Sequence, residues 1–318
     1  MAKPGYEGYS EGTPTKLVQE TFGDAKIYAQ EVDTGWHGKL NLVYADRLGI
    51  TALIQNSHQA PLKVQRPFYP EGEKVCHSVI LHTAGGVVGG DRLSLNFHLQ
   101  PNTKALITTA AASKIYRSNG TQARQSINIQ VDAGACLEWF PQETIVFNGA
   151  IYRQDLRVEL ATKASYLGWE ITRFGRSARG EKFVQGEWRN HTEIWQQGKP
   201  LWIDRQWLPG SEEVFHSPHG LAGQPITGSL VWVGGAVSKE IVEKARSLFT
   251  PNSSCTDAIN RVSTPHSLAG VTRLENGFLC RYRGCSTSEV RNWFIDVWQL
   301  LRMSFLNRGN CIPRVWQI

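Results

Sequence analysis

The chain is poor in methionine and has no long apolar run, and each lack removes a class of function. Two Met in 318 residues, against 11 Trp, argue against the pliable surface of a promiscuous binder and for a stiff aromatic interior. No stretch approaches the roughly 18 apolar residues of a membrane-spanning helix. The opening MAKPGYEGYSEGTPTK has glycine, proline and charge where a secretory signal needs an apolar core. A cytoplasmic protein with no membrane partner is the expectation. The six cysteines, at 76, 136, 255, 280, 285 and 311, contain no C-x-x-C pair, so free and mostly buried thiols are expected rather than a zinc or redox motif. The nine histidines show no H-x-H, H-x-x-x-H or H-E-x-x-H spacing, and no tight metal site is predicted. The net charge of +6 and pI near 9.0 invite a nucleic-acid reading. The 34 Lys and Arg are dispersed, however, without dense basic runs, and a mild positive field that attracts an acidic protein fits better than nucleic acid.

What is present is β texture. From Trp36 to about Trp207 short apolar alternations are broken by turns every ten residues or so, as in RLSLNFHL, KALITTA and QSINIQV. This period of two predicts an all-β sandwich, barrel or helical sheet stack, and no fixed-length repeat marks a regular solenoid. Hairpin turns are expected at Pro101-Asn102, Asp132-Ala133-Gly134, Gln197-Gly198 and Glu275-Asn276-Gly277. Helices come late. Ser238 to Phe249 carries one apolar stripe, and Ser286 with Glu289 has capping-box spacing before Val290, Trp293, Phe294, Val297, Trp298 and Leu301 on one face. That aromatic stripe either packs in the core or forms a docking face. The domain organisation expected is a flexible tail over 1–20, a β-stack over 21–235, and a helical region with a hairpin over 236–318 packed on it.

The segment from His82 to Ser118 is the most distinctive. Gly85, Gly86, Gly89 and Gly90, followed by Asp91, suit backbone that turns sharply or is closely approached. Their order is not G-x-G-x-x-G, and no helix follows to cradle phosphate. Lys114, Tyr116 and Arg117 could hold an anion or be an ordinary paired strand end. Residues 173–182, RFGRSARGEK, fail as a nucleophile elbow because the second glycine falls one place late, and fail as a phosphate loop because Glu181 stands where lysine should be. No nucleophile, base and orienting group appear as a set, so no catalytic residue is named. His77 and His82, five apart, would point to opposite faces of a strand. Glu138 and Glu143 flank an aromatic block, Glu170 follows Trp169, and Glu181 follows a glycine turn; such carboxylates are either paired or line a polar cavity.

Taken in order, these motifs resemble the urease accessory protein UreD (UreH) family. The resemblance is carried by Trp36 to Leu40 with Arg47 to Thr51, Pro61 to Pro67, Gly85 to Leu93, Thr108-Thr109 with Ser113 to Ser118, Leu137 to Ile145, Gly175-Arg176 with Gly180-Glu181, Arg281-Tyr282, the Trp298 helix and Pro313 to Gln317. It implies a mainly β fold, a two-layered β-helix-like stack with a few C-terminal helices. It also implies a non-catalytic scaffold that binds urease apoprotein and UreF, with the GTPase UreG joining through UreF. That assembly would deliver nickel to the urease active site through an internal passage, with no tightly bound cofactor. Weak oxygen ligands at many points suit transit better than a tight cage, which makes Asp91, Glu138, Glu143, Glu170 and Glu181 the candidate passage residues. Trp293, Phe294 and Trp298, with Arg314 and Trp316, are the candidate surface or support for UreF. Two other readings stand beside this one: a hydrolase using Ser177 or paired carboxylates, and a basic nucleic-acid-binding β protein.

Overall fold

The computed structural model describes residues 35–176, 179–251 and 267–316; the expected tail, Ser177 and Gln317 lie outside them. Strands β1 (His37–Arg47), β2 (Ile50–Gln59) and β3 (Leu62–Val64) come first. The chain then alternates between two sheets. β4 (Cys76–His82), β6 (Lys104–Thr109), β9 (Cys136–Phe140) and β12 (Ser165–Phe174) run parallel in one sheet. β5 (Arg92–Leu99), β8 (Ala123–Val131), β11 (Ile151–Leu160) and β13 (Glu187–Gln196) run parallel beside β1 in the other. This is a two-layered β-solenoid, as the family resemblance implies. Short β7 (Ser113–Ile115) and β10 (Thr144–Val146) pair with each other, and β10 joins β12.

Antiparallel strands close each stack. β2 and β14 (Lys199–Pro209) flank the seven-stranded sheet, called here the front sheet. The back sheet is flanked by β3 on one side and, on the other, by β15 (Ile226–Val233), β17 (Gly277–Gly284) and β16 (Leu268–Leu274). The expected hairpins at Gln197-Gly198 and Glu275-Asn276 join β13 to β14 and β16 to β17. Those at Pro101-Asn102 and Asp132 to Gly134 are corners instead, taking β5 to β6 and β8 to β9 across the two layers. Both kinds of turn use left-handed backbone, at Asn102 (φ 64°) and Gly134 (φ 71°) in the corners and at Gln197 (φ 49°) and Gly198 (φ 75°) in a hairpin, so local chemistry cannot tell them apart.

Leu40, Leu95, Ile127 and Leu156 of the front sheet meet Ile107, Leu137 and Trp139 of the back sheet in one core. A second core lies behind the back sheet under helices α2 (Lys239–Ser247) and α3 (Thr287–Leu301). Ser238 and Ser286 cap these helices by accepting from the N–H of Ile241 and Glu289. The short helix α1 (Glu212–His216), capped by Ser211, has too few residues to show a periodic stripe and is not apparent in the sequence. α3 continues into a π-helical turn, Arg302–Leu306, and the described chain ends in a 3-10 turn, Arg314–Trp316.

The aromatic stripe of α3 is core, not surface. Trp293, Phe294 and Trp298 are almost wholly buried, and fully burying a side chain of this kind is worth about 2–3 kcal/mol. Phe140 and Trp169 stack at 4.2 Å, and Trp298 meets Phe140 edge-on at 5.1 Å. Trp316 closes the cluster, 5.0 Å from Trp169 by ring centroid, with its indole N–H donated to Thr108 Oγ1 at 2.9 Å. Arg314 alone of the five expected docking residues is exposed. Four cysteines, 76, 136, 280 and 311, are free thiols. Cys285 is disulfide-bonded, contrary to the expectation for all six.

Candidate functional site: a polar cavity between the sheets

A cavity of about 480 Å³ opens between the two sheets. Exposed Gly85, Ala111 and Lys114 lie at its mouth, and the inward faces of both sheets line its depth. Period-two alternation places Gln125, Gln154 and Asn190 of β8, β11 and β13 on the inner face of the front sheet, opposite Glu170 of β12. Two buried polar atoms on lining residues, His82 Nε2 and Trp139 Nε1, have no hydrogen-bond partner among the described residues. Water or a polar guest in the cavity would satisfy them.

Glu170 is the charged centre. Gln154 donates to its Oε1; Asn190 Nδ2 and Thr192 Oγ1 donate to Oε2 at 2.6 and 3.3 Å. The amides are themselves tethered, Gln125 Nε2 and Tyr152 Oη both donating to Gln154 Oε1, at 3.0 and 3.3 Å. Burial pushes the Glu170 carboxyl above the usual carboxylate range and nearby Asp204 adds to the rise, while the Asn190 and Thr192 hydrogen bonds and the charge of Arg281 pull it back. The arrangement offers a divalent cation one carboxylate and several neutral oxygens. Such hard donors suit a weakly held, hydrated ion.

The other four expected passage residues lie outside the cavity lining, three of them ion-paired with arginine and Asp91 held by backbone N–H groups. Asp91 accepts from the N–H of Trp36 at 3.0 Å and of Val88 at 2.9 Å, closing the glycine turn. Glu143 is ion-paired with Arg291. Glu181 is ion-paired with Arg176 and accepts from Asn148 N–H at 3.1 Å. Glu138 lies on the helix side of the back sheet, wholly buried. It accepts from Trp298 Nε1 and Arg302 Nε, both at 2.8 Å, and from the terminal nitrogens of Arg302 at 2.6 Å and Arg308 at 3.1 Å. Arg302 also reaches Glu71 at 2.6 Å, and Glu71 pairs with His77 at 2.7 Å. Burial alone would raise the Glu71 carboxyl, but His77 and Arg302 hold it down at about 2. This network carried no signal in the sequence, because its members lie up to 231 residues apart.

The glycine loop shapes the cavity mouth. A Cβ on Gly86 would fall 2.4 Å from the Tyr116 ring and 2.7 Å from the Lys114 carbonyl, and Gly90 sits at φ 93°. Gly85 meets nothing nearer than 3.8 Å, so packing does not require glycine there. Tyr116 donates to the Gly85 carbonyl at 3.0 Å, making it a strut of this corner.

The fold and site together define a β-solenoid scaffold with a polar interior. Among the described residues no three His, Cys, Asp or Glu side chains gather as a metal cluster, and no helix is long and apolar enough to cross a membrane. The family model described as UreD urease accessory protein matches residues 37–317. The urease accessory protein UreD of Nostoc punctiforme is 76% identical over 292 residues, covering 92% of this chain and 100% of that protein. The UreD of Methylobacillus flagellatus is 38% identical over 284 residues, covering 89% and 95%. The chain belongs to the UreD family of urease accessory proteins and is an accessory protein, not an enzyme.

Proposed function

We propose that this chain is a cytoplasmic scaffold that binds urease apoprotein and UreF, with UreG joining through UreF, and passes nickel to urease through the cavity at Glu170. Family membership supports the maturation role, and one observation supports the passage. Glu170 is the candidate carboxylate that faces the cavity, and its hydrogen-bond partners among the described residues are amides and a hydroxyl rather than an arginine. A carboxylate ion-paired with a guanidinium attracts a cation only weakly; Glu170, hydrogen-bonded by neutral groups, with Arg281 acting on it only through space and itself paired with Asp204, keeps that capacity. The cavity has room for on the order of ten waters, so an ion need not shed its hydration shell. With Arg302 and Arg308 against it, Glu138 is no longer offered as a ligand, nor are Asp91, Glu143 and Glu181. The four free thiols suit a reducing compartment; the Cys285 disulfide does not.

Partner docking does not use the faces of Trp293, Phe294 and Trp298 directly, since they are internal. Their role is to support the exposed end at Arg314 and the half-buried Trp316. Deleting the gene from a urease operon tests the role as a whole. Urease protein is expected to accumulate without nickel and without activity, and normal activation in the deletion strain would overturn the proposal.

A further inference from the structure

The outer face of the front sheet lies away from helices α2 and α3, and the coil register writes an unusual row on it. Arg92 pairs with Arg124, Arg124 with Arg153, and Arg153 with Arg189 on successive parallel strands. His37 stands before this row on β1 and Trp207 after it on β14. One row along, Lys39, Ser94, Ser126, Asp155, His191 and Arg205 follow the same register. The two rows thus hold six permanent cations and one carboxylate, Asp155, with Glu187 paired to Arg189 and Glu193 to Arg205 at the edge. At about 4.8 Å per strand the strip spans roughly 24 Å.

The guanidinium groups are held in place. Asp155 binds Arg124 at 3.0 Å and Arg153 at 2.8 Å, drawing both toward one point of the strip, and Arg189 lies over the Trp207 ring at 5.6 Å. They remain accessible: the side chains of Arg124 and Arg205 are 52% and 65% exposed, and Trp207 is 61% exposed. Rigid arginines beside an open indole are the composition that dominates binding energy at protein interfaces, and their prior ordering lowers the entropy cost of docking. The carboxylates set among them would repel a uniform polyanion such as nucleic acid, while a folded protein surface can match a patterned field.

We infer that this arginine strip is a docking surface for an acidic protein surface, separate from the α3 end. The inference rests on the maturation reading for the identity of the probes. The strip covers less than the roughly 800 Å² per partner of a stable interface, so its main effect is on encounter rate and orientation. The test uses the full chain, wild type and R124E/R205E, with R124Q/R205Q as the milder pair and thermal unfolding as the check that each is folded. Association rates with purified urease apoprotein and with UreF are measured at about 50 and about 300 mM NaCl, concentrations between which screening strengthens markedly. For one of these partners, association with R124E/R205E is expected to be about 10-fold slower at the lower salt, R124Q/R205Q to fall between, and the differences to close at the higher salt. Equal rates for wild type and both variants at both salts, with the partners still binding, would overturn the strip and leave the maturation reading intact. Arginine-dependent binding of an RNA oligomer or of phosphatidylserine vesicles, with protein association unchanged, would overturn it in favour of those occupants. A wild-type chain that binds neither protein would sink the maturation reading, and the strip proposal with it.

Discussion

Glu138 and Glu170 stand on neighbouring parallel strands of one sheet, the first wholly buried and the second half-buried at the cavity, and have opposite surroundings. Glu138 points to the helix side, where Arg302, Arg308 and Trp298 saturate its oxygens. Glu170 points between the sheets, where Gln154, Asn190 and Thr192 supply neutral hydrogen bonds and Arg281, ion-paired with Asp204, acts only through space. Burying a carboxylate is costly, and the protein meets that cost in one place by pairing and in the other by raising the group's proton affinity. The first solution fixes the π-helical turn to the sheet. The second leaves a carboxylate able to exchange a proton for a cation.

The largest break in this comparison comes from removing Arg302. R302A leaves Glu138 and Glu71 buried with fewer cations, and unfolding in urea is expected to show a loss of about 3–5 kcal/mol. The same network sets the acid response. Glu71 binds its proton less tightly folded than unfolded, so its contribution is complete above about pH 5 and is lost as pH falls toward 2, by about 2–3 kcal/mol. E71Q should flatten that part of the stability-against-pH curve; an unchanged slope would show that Glu71 is not held down. Smaller again is G86A, whose methyl group would press on Tyr116 and the Lys114 carbonyl at the cavity mouth. A loss of about 1–3 kcal/mol is expected in thermal unfolding.

E170Q should move the other way. Glu170 binds its proton more tightly folded than unfolded, so its ionisation works against folding as pH rises above the ordinary carboxylate value near 4.3. The amide removes that penalty. E170Q is therefore expected to be more stable than wild type at neutral pH, with the difference closing below about pH 4. A variant less stable at pH 7 would mean that Glu170 is a structural anchor like Glu138.

Much of this was legible in the sequence, and the part that was not has a common cause. Period-two alternation gave the strands, and serine caps gave α2 and α3. The parity of His77 and His82 was also readable: one joins Glu71 behind the sheet and the other lines the cavity. Turn chemistry could not separate Asn102 and Gly134, which carry the chain between layers, from Gly198, which folds a hairpin. Nor could spacing reveal the arginine row, whose members lie 32, 29 and 36 residues apart; only coils of unequal length bring them into register. Among the five carboxylates only Glu181 finds its arginine nearby in sequence, at Arg176; Arg302 and Arg291 reach Glu138 and Glu143 from the distant C-terminal helical segment.

The central claim is that a cavity carboxylate with no arginine ion-paired to it among the described residues serves nickel passage. Its most direct test is the nickel content of urease matured in cells carrying E170Q, with co-purification of the variant and urease measured alongside. The account predicts a folded, more stable variant that still co-purifies with urease, and a urease nickel content lowered several-fold. Full nickel loading by E170Q would contradict it.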